Sequence, residues 1–168
     1  MSDLTFSWLA EADSLPALVK FFLENVDEKY ISFGEYQSGL ATPERGWAPD
    51  IERKLLTQMQ ELLANADSPK PKALLATARL QSNLQALAMV RFNLEGTFSY
   101  AHLEDIVVTK TATTKGTGTS LLNWLESECR NRGATHLTLE TGATNERASN
   151  FFKNRGFTPI SVVRIKQL

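Results

Sequence analysis

The chain has 168 residues, 42% of them hydrophobic, which is enough for one sizeable core and an expected single domain over the whole length. Eighteen Lys and Arg face nineteen Asp and Glu for a formal charge of -1, so composition makes no case for nucleic acid or an anionic membrane as partner. A single cysteine excludes an internal disulfide, and Met1-Ser2-Asp3-Leu4-Thr5 has neither a basic start nor a long apolar run after it; the expectation is a cytoplasmic protein without signal peptide or membrane span.

Leu4 to Leu9 alternates loosely and reads as a first strand. Ser14 to Asn25 reads as a helix, with Pro16 in the first turn and Leu18, Val19, Phe22 and Val26 on one face. Asp27 to Gly46 is less regular, read as helix fragments and loop that can cover a site. Asp50 caps a second helix through about Leu63, and Ser68-Pro69-Lys70-Pro71 stops it. The period then becomes that of strands: Ala73 to Leu80, Leu84 to Leu94 and Thr97 to Thr109, joined by short turns and therefore antiparallel. A helix from Thr117 to about Arg132 is closed by Gly133, and its apolar stripe includes Cys129 as a small buried hydrophobe. His136 to Thr141 reads as a buried strand parallel to the one before the helix. A capped helix runs from Thr144 or Asn145 to Arg155, and Ile160 to Ile165 reads as a last strand.

The chemistry concentrates where the strand Leu103-Glu104-Asp105-Ile106-Val107-Val108 gives way to Lys115-Gly116-Thr117-Gly118-Thr119-Ser120. Gly116 and Gly118 leave no Cβ in the way of a ligand, and the N–H groups and positive dipole end of the following helix attract phosphate. The order Lys-Gly-x-Gly lacks the ending of a P-loop, and Leu121 fills the place where a GxGxxG needs its last glycine. A plain glycine turn is the other reading of these residues.

Further on, Asn145-Glu146-Arg147-Ala148-Ser149-Asn150-Phe151-Phe152-Lys153-Asn154-Arg155-Gly156-Phe157 supplies a second motif at a fixed distance. Taken together, the two stretches resemble the GNAT superfamily of acyl-CoA-dependent N-acetyltransferases. In that family a strand leads to Arg/Gln-x-x-Gly-x-Gly/Ala and a helix, then to a further strand and Asn-x-x-Ala-x-x-Phe-Tyr-x-x-x-Gly-Phe. The strand Leu103 to Val108 is similar to that of the small-amine acetyltransferases in the superfamily. The resemblance implies an α/β (α+β) fold: a mixed, mostly antiparallel sheet flanked by about four helices, with a splayed parallel strand pair that binds acyl-CoA. It implies acetyl-CoA or CoA as cosubstrate, no metal, and loop N–H groups from about Thr113 through Thr114, Lys115, Gly116, Thr117 and Gly118 to Thr119 as the pyrophosphate site. The pantetheine arm is then expected along the backbone of Ile106, Val107 and Val108, with Asn145 in contact with it.

By the same resemblance Glu104 is the carboxylate that draws a proton from the amine through water, and the Val107 N–H stabilises the thioester oxyanion. Asp105 points to the opposite sheet face unless a bulge intervenes. Two positions depart from the family: Thr113 replaces the usual Arg or Gln, and Phe152 stands where many members carry the tyrosine that protonates the leaving thiolate. His102, two residues before Glu104, reads as structural or as a residue reaching the acceptor cleft, His136 as structural, Tyr30, Phe33, Tyr36 and Trp47 as pocket walls or core, and Glu28 and Glu35 as cation ligands or a solvated face. The expected activity is acetyl transfer from acetyl-CoA to a primary amine, a small molecule by preference. The alternatives are an acyl-CoA sensor without turnover and a protein or peptide acetyltransferase. An open sheet edge leaves room for a homodimer.

Overall fold

The computed structural model describes residues 4–64, 66–111 and 116–168. In chain order its elements are β1 (Leu4–Trp8), α1 (Leu15–Asn25), α2 (Phe33–Gln37), β2 (Ala41–Thr42), β3 (Gly46–Trp47), α3 (Ile51–Ala64), β4 (Ala73–Leu80), β5 (Asn83–Asn93), β6 (Tyr100–Val108), α4 (Thr117–Asn131), β7 (His136–Leu139) and α5 (Glu146–Lys153). They fall into two units. One takes the chain up to Val26 with Asp50–Leu139, the other Asp27–Pro49 with Glu140–Leu168.

The first unit is built on a five-stranded sheet in the order β1-β4-β5-β6-β7. Neighbours are antiparallel except β6 and β7, which are parallel, as an intervening helix requires. Register decides what each face carries. Phe6, Ala78, Ala86 and Val108 form one row across four strands, and Trp8, Ala76, Ala88 and Ile106 form the next. The alanines of these rows are fully buried, and α4 lies over them with Trp124 against Phe6 and Trp8. Small side chains in the middle let the helix approach closely, and the aromatic rings fill the space at the β1 edge. The indole N–H of Trp8 donates to Glu128 on α4 at 2.8 Å, and Arg132 sits 5.3 Å from the Trp8 ring centroid.

The other face presents Leu75, Thr77, Leu87, Met89 and Val107, all buried. α1 and α3 pack on each other and on the sheet, contributing Leu15, Leu18, Phe22, Leu55 and Met59. Asp50 precedes α3, where its carboxylate takes the charges of Lys54, at 3.2 Å, and Arg53; the hydrogen bond from Lys54 leads in holding that carboxyl below its ordinary range.

The second unit contains a two-stranded ladder, Ala41 with Trp47 and Thr42 with Gly46, in a stretch where the sequence suggested only helix fragments and loop. Ser32 and Glu35 form a reciprocal capping box on α2. Glu140 accepts from the Gly34 N–H at 3.2 Å and from the Ser32 hydroxyl at 3.5 Å, tying the 140s to this turn. Gly142 lies against the carbonyls of Lys29 and Ile31, where a Cβ has no room.

Two expectations need correction. Ile160 to Ile165 forms no strand: Ile160 is 83% and Val162 71% exposed, and among the described residues the segment joins no ladder. β-branched residues favour extended backbone, but a strand exists only where a neighbour supplies hydrogen bonds. β7 is shorter than the expected His136 to Thr141 and half-exposed, because it is an edge of the sheet. His136 is accordingly exposed, its ring tilted against Phe98 with centroids 4.8 Å apart. The five α-helices among the described residues, one of them the short α2, agree with the expected sheet flanked by about four.

Gly142→Ala should drive a methyl into two backbone carbonyls that cannot rotate away. We expect a loss of about 2–3 kcal/mol, read as a lower urea midpoint in the second unit's spectroscopic signal.

Candidate active site

β6 carries the site because its pairing is irregular. Val90 lies opposite Leu103 and Met89 opposite Asp105, so β6 has one residue, Glu104, more than β5 at this point. Such a bulge breaks the in–out alternation. Leu103 stays on the α4 face beside Val90, while Asp105 shares the opposite face with Met89. Glu104 is on that opposite face too, since its carboxylate is held by Arg91, two residues from Met89 on β5. The bulge that the sequence could only name as a condition is therefore present, and Glu104 and Asp105 face the same way.

Arg91 grips both oxygens of Glu104, Nε to Oε1 at 2.6 Å and a terminal NH2 to Oε2 at 3.3 Å. This is the planar fork of guanidinium and carboxylate. Glu104 is 20% exposed and Arg91 48%. Asp105 is 4% exposed. Directly across from Arg91 is His102, whose Nδ1 is 2.9 Å from the Thr138 hydroxyl on β7. Arg91, His102, Glu104 and Thr138 thus form a polar row over three strands, half-exposed where the rest of that face is buried.

The ladder between β6 and β7 stops at Leu103 and Leu139, whereas β6 runs on to Val108. Ile106 and Val108 turn their side chains to the α4 face with Ala88 and Ala86, and Val107 lies opposite Leu87. This is the splayed pair expected to receive an acyl-CoA arm.

α4 begins with Gly116 as N-cap at φ 98°, ψ 0°, a left-handed conformation that glycine takes without strain. Among the described residues, a Cβ there would meet nothing within 4 Å. The Ser120 N–H donates to the Gly116 C=O at 2.9 Å, closing a turn that holds Thr117, Gly118 and Thr119. Thr117 itself is buried. Thr113, Thr114 and Lys115, the rest of the expected cradle, lie outside the described residues.

Asn145 and Phe152 belong to the second unit. The Asn145 side chain accepts from the Ala148 N–H at 3.1 Å, as an N-cap does. Phe152 is buried edge-on between Phe151, 5.1 Å away, and Phe157, 5.4 Å away. It packs and offers no proton. Glu35 is spent on its capping box, and Glu28 folds over Gly46. Tyr30 and Trp47 stand 6.4 Å apart with tilted rings. Among the described residues no group of three or more His, Cys, Asp or Glu is placed to hold a metal ion, and no helix is long and apolar enough to cross a membrane.

The sequence matches the acetyltransferase (GNAT) family over residues 40–157, most of the chain. The chain belongs to the GNAT acetyltransferase family. Solved structures agree in fold. A transcriptional regulator from Bacillus halodurans superposes with a TM-score of 0.70 at 16% identity, covering 99% of this chain and 100% of its own. An aminoglycoside N-acetyltransferase in complex with CoA gives 0.66 at 14%, covering 100% and 96%. A ribosomal-protein-alanine N-acetyltransferase from Brucella melitensis gives 0.64 at 12%, covering 99% and 100%. No curated protein is similar enough in sequence to count as a match.

Cys129 can be removed from the chemistry. It is 3% exposed on the buried side of α4, and burial pushes its thiol up to about 11. The folded protein should therefore leave a disulfide reagent such as DTNB unreacted at pH 8 and consume one equivalent after unfolding in guanidinium.

Proposed function

We propose that this GNAT protein transfers an acetyl group from acetyl-CoA to a primary amine of a small molecule by direct attack of the amine on the thioester. The observation that carries this reading is the early end of the β6–β7 ladder at Leu103 and Leu139, with β6 continuing to Val108 and α4 starting at a left-handed Gly116. A strand edge beyond its neighbour can add an extended amide-bearing arm, and a helix N-terminus suits a pyrophosphate. The pyrophosphate is assigned to the N–H groups of Thr117 to Thr119, with Thr113, Thr114 and Lys115 completing the loop. The arm is assigned to Ile106, Val107 and Val108; Asn145 and Phe152 are kept as cofactor residues on the family resemblance alone. The oxyanion is assigned to the Val107 N–H. Glu104 holds the position from which a family carboxylate draws the amine's proton.

A small-molecule acceptor is supported by the aminoglycoside acetyltransferases among the structural neighbours. A second reading, an acyl-CoA sensor without turnover, is favoured by Phe152, which is buried and lacks the hydroxyl of the usual acid. The protein is assigned to the cytoplasm on its composition.

Calorimetric titration with acetyl-CoA, run beside a thiol-release assay over polyamines, aminoglycosides and short peptides, separates these. Binding with release on a small amine is the expected result. Release only with peptides would redirect the acceptor, binding without release would favour the sensor, and no binding would end the reading. Gly116→Val, forced into a conformation that L-residues resist, should weaken acetyl-CoA by about tenfold.

A further inference from the structure

Two surfaces of this protein lack the partners that their chemistry calls for. We infer that they meet across two copies of the chain: Ile160 to Ile165 of one copy adds as a strand along the outer edge of β7 in a second copy, and the exchange is reciprocal. This goes beyond the acetyl-transfer reading and does not depend on it.

The first surface is the segment that follows α5. Ile160, Val162, Val163 and Ile165 are all more than half exposed, and among the described residues the segment joins no ladder. Exposed apolar side chains are ordinary when scattered singly; a run of them marks a contact surface. In extended backbone Ile160 and Val162 point to one side, Val163 and Ile165 to the other. A strand lying on water would be apolar on one side only, whereas apolar residues on both sides suit a sheet covered on both faces. Their β-branching also holds the chain near the extended conformation beforehand, which lowers the ordering cost of pairing.

The second surface is the β7 edge. β7 pairs with β6 alone among the described strands, and His136-Leu137-Thr138-Leu139 contains none of the lysines or prolines that guard open edges. Its sheet has α4 over one face and α1 and α3 over the other, the two-sided cover that the segment's pattern matches. β1 is the sheet's opposite edge, and apolar surface separates the two. Among the described residues of the first unit, Phe98 is the large hydrophobic side chain left exposed, at 51%, and it touches the ring of His136, the first residue of β7.

A second copy is the occupant that fits. One chain leaves segment and edge unpaired among its described residues, and each copy carries one of both, so reciprocal exchange satisfies the two and closes on a two-fold axis. The edge's backbone groups gain ladder partners while the apolar side chains leave water. At about 100 Å² of apolar surface per side chain, the four residues supply roughly 400 Å² per copy; counting the surface they cover, two exchanges reach roughly 1,600 Å², the size of an ordinary stable interface.

The test is sedimentation equilibrium of the full chain at about 50 µM, read against the 18.7 kDa of one copy. The parent should sediment at twice that mass. Val162→Lys with Val163→Lys spoils the segment on both sides, and Phe98→Lys sets a charge at the edge that opposes Arg164 and Lys166. Each variant should raise the dimer Kd at least about 100-fold, with far-ultraviolet dichroism unchanged as the check on folding. Neither variant can exchange with itself, but a mixture of the two retains one intact segment and one intact edge. A contact already lost is not lost twice, so the mixture should associate at least about tenfold more tightly than either variant alone. Lysines on both sides of the spoiled contact leave no charge-driven rescue. A monomeric parent, a segment variant that dimerises as the parent does, or a mixture no tighter than its components overturns the inference. A Phe98→Lys protein with the parent's dimer Kd overturns it too, because the segment then pairs with something other than the β7 edge.

Discussion

One extra residue in β6 organises the sheet of the first unit. A strand in a two-layered sheet must alternate its side chains, and strict alternation would have buried one of the adjacent carboxylates under α4, among Ala76, Ala78, Ala86 and Ala88. Nothing in such a lining could pair with a charge. By inserting Glu104 opposite the Val90–Met89 step, the strand keeps Ala101, Leu103, Ile106 and Val108 on the α4 side and every polar group on the other. The hydrophobic contacts of α4 and the polar row of Arg91, His102, Glu104 and Thr138 are thereby compatible in the same few residues.

The same irregularity lies at the level where β6 and β7 part. A bulge increases the local twist of its strand, and the β6–β7 ladder ends at Leu103, immediately before Glu104. Both the open backbone edge and the polar face thus have their origin within one residue of each other. The open edge and the polar face share a geometric cause, a reason to propose them as one site.

Much of this architecture was legible in the chain because its signals are local. Ala73 to Leu80 reads as a strand at its observed limits, α4 begins at Thr117, where the glycine pattern puts it, and Asn145 caps α5 through its own side chain. What escaped depends on partners far along the chain. The bulge is a relation between two strands, and alternation in β6 alone cannot show it. Arg91 is 13 residues from Glu104, and His102 finds Thr138 36 residues away, so neither pair forms a motif. The fork gives Glu104 a partner that its own strand does not disclose. Ile160 to Ile165 fails in the opposite sense: its residue types suit a strand, but propensity supplies no neighbour. The assignment of Glu28 and Glu35 stayed open because a surface carboxylate and a capping carboxylate have the same local sequence environment.

The three tryptophans divide between the two units: Trp8 and Trp124 in the first, Trp47 in the second. Trp8 and Trp124 have ring centroids 5.0 Å apart, one on the sheet and one on the helix above it. Their emission and near-ultraviolet dichroism are therefore a built-in optical gauge of whether α4 is seated, and Trp47 reports separately on the segment beside Tyr30. A protein with its light-emitting groups placed this way announces, without any label, which of its parts comes loose first.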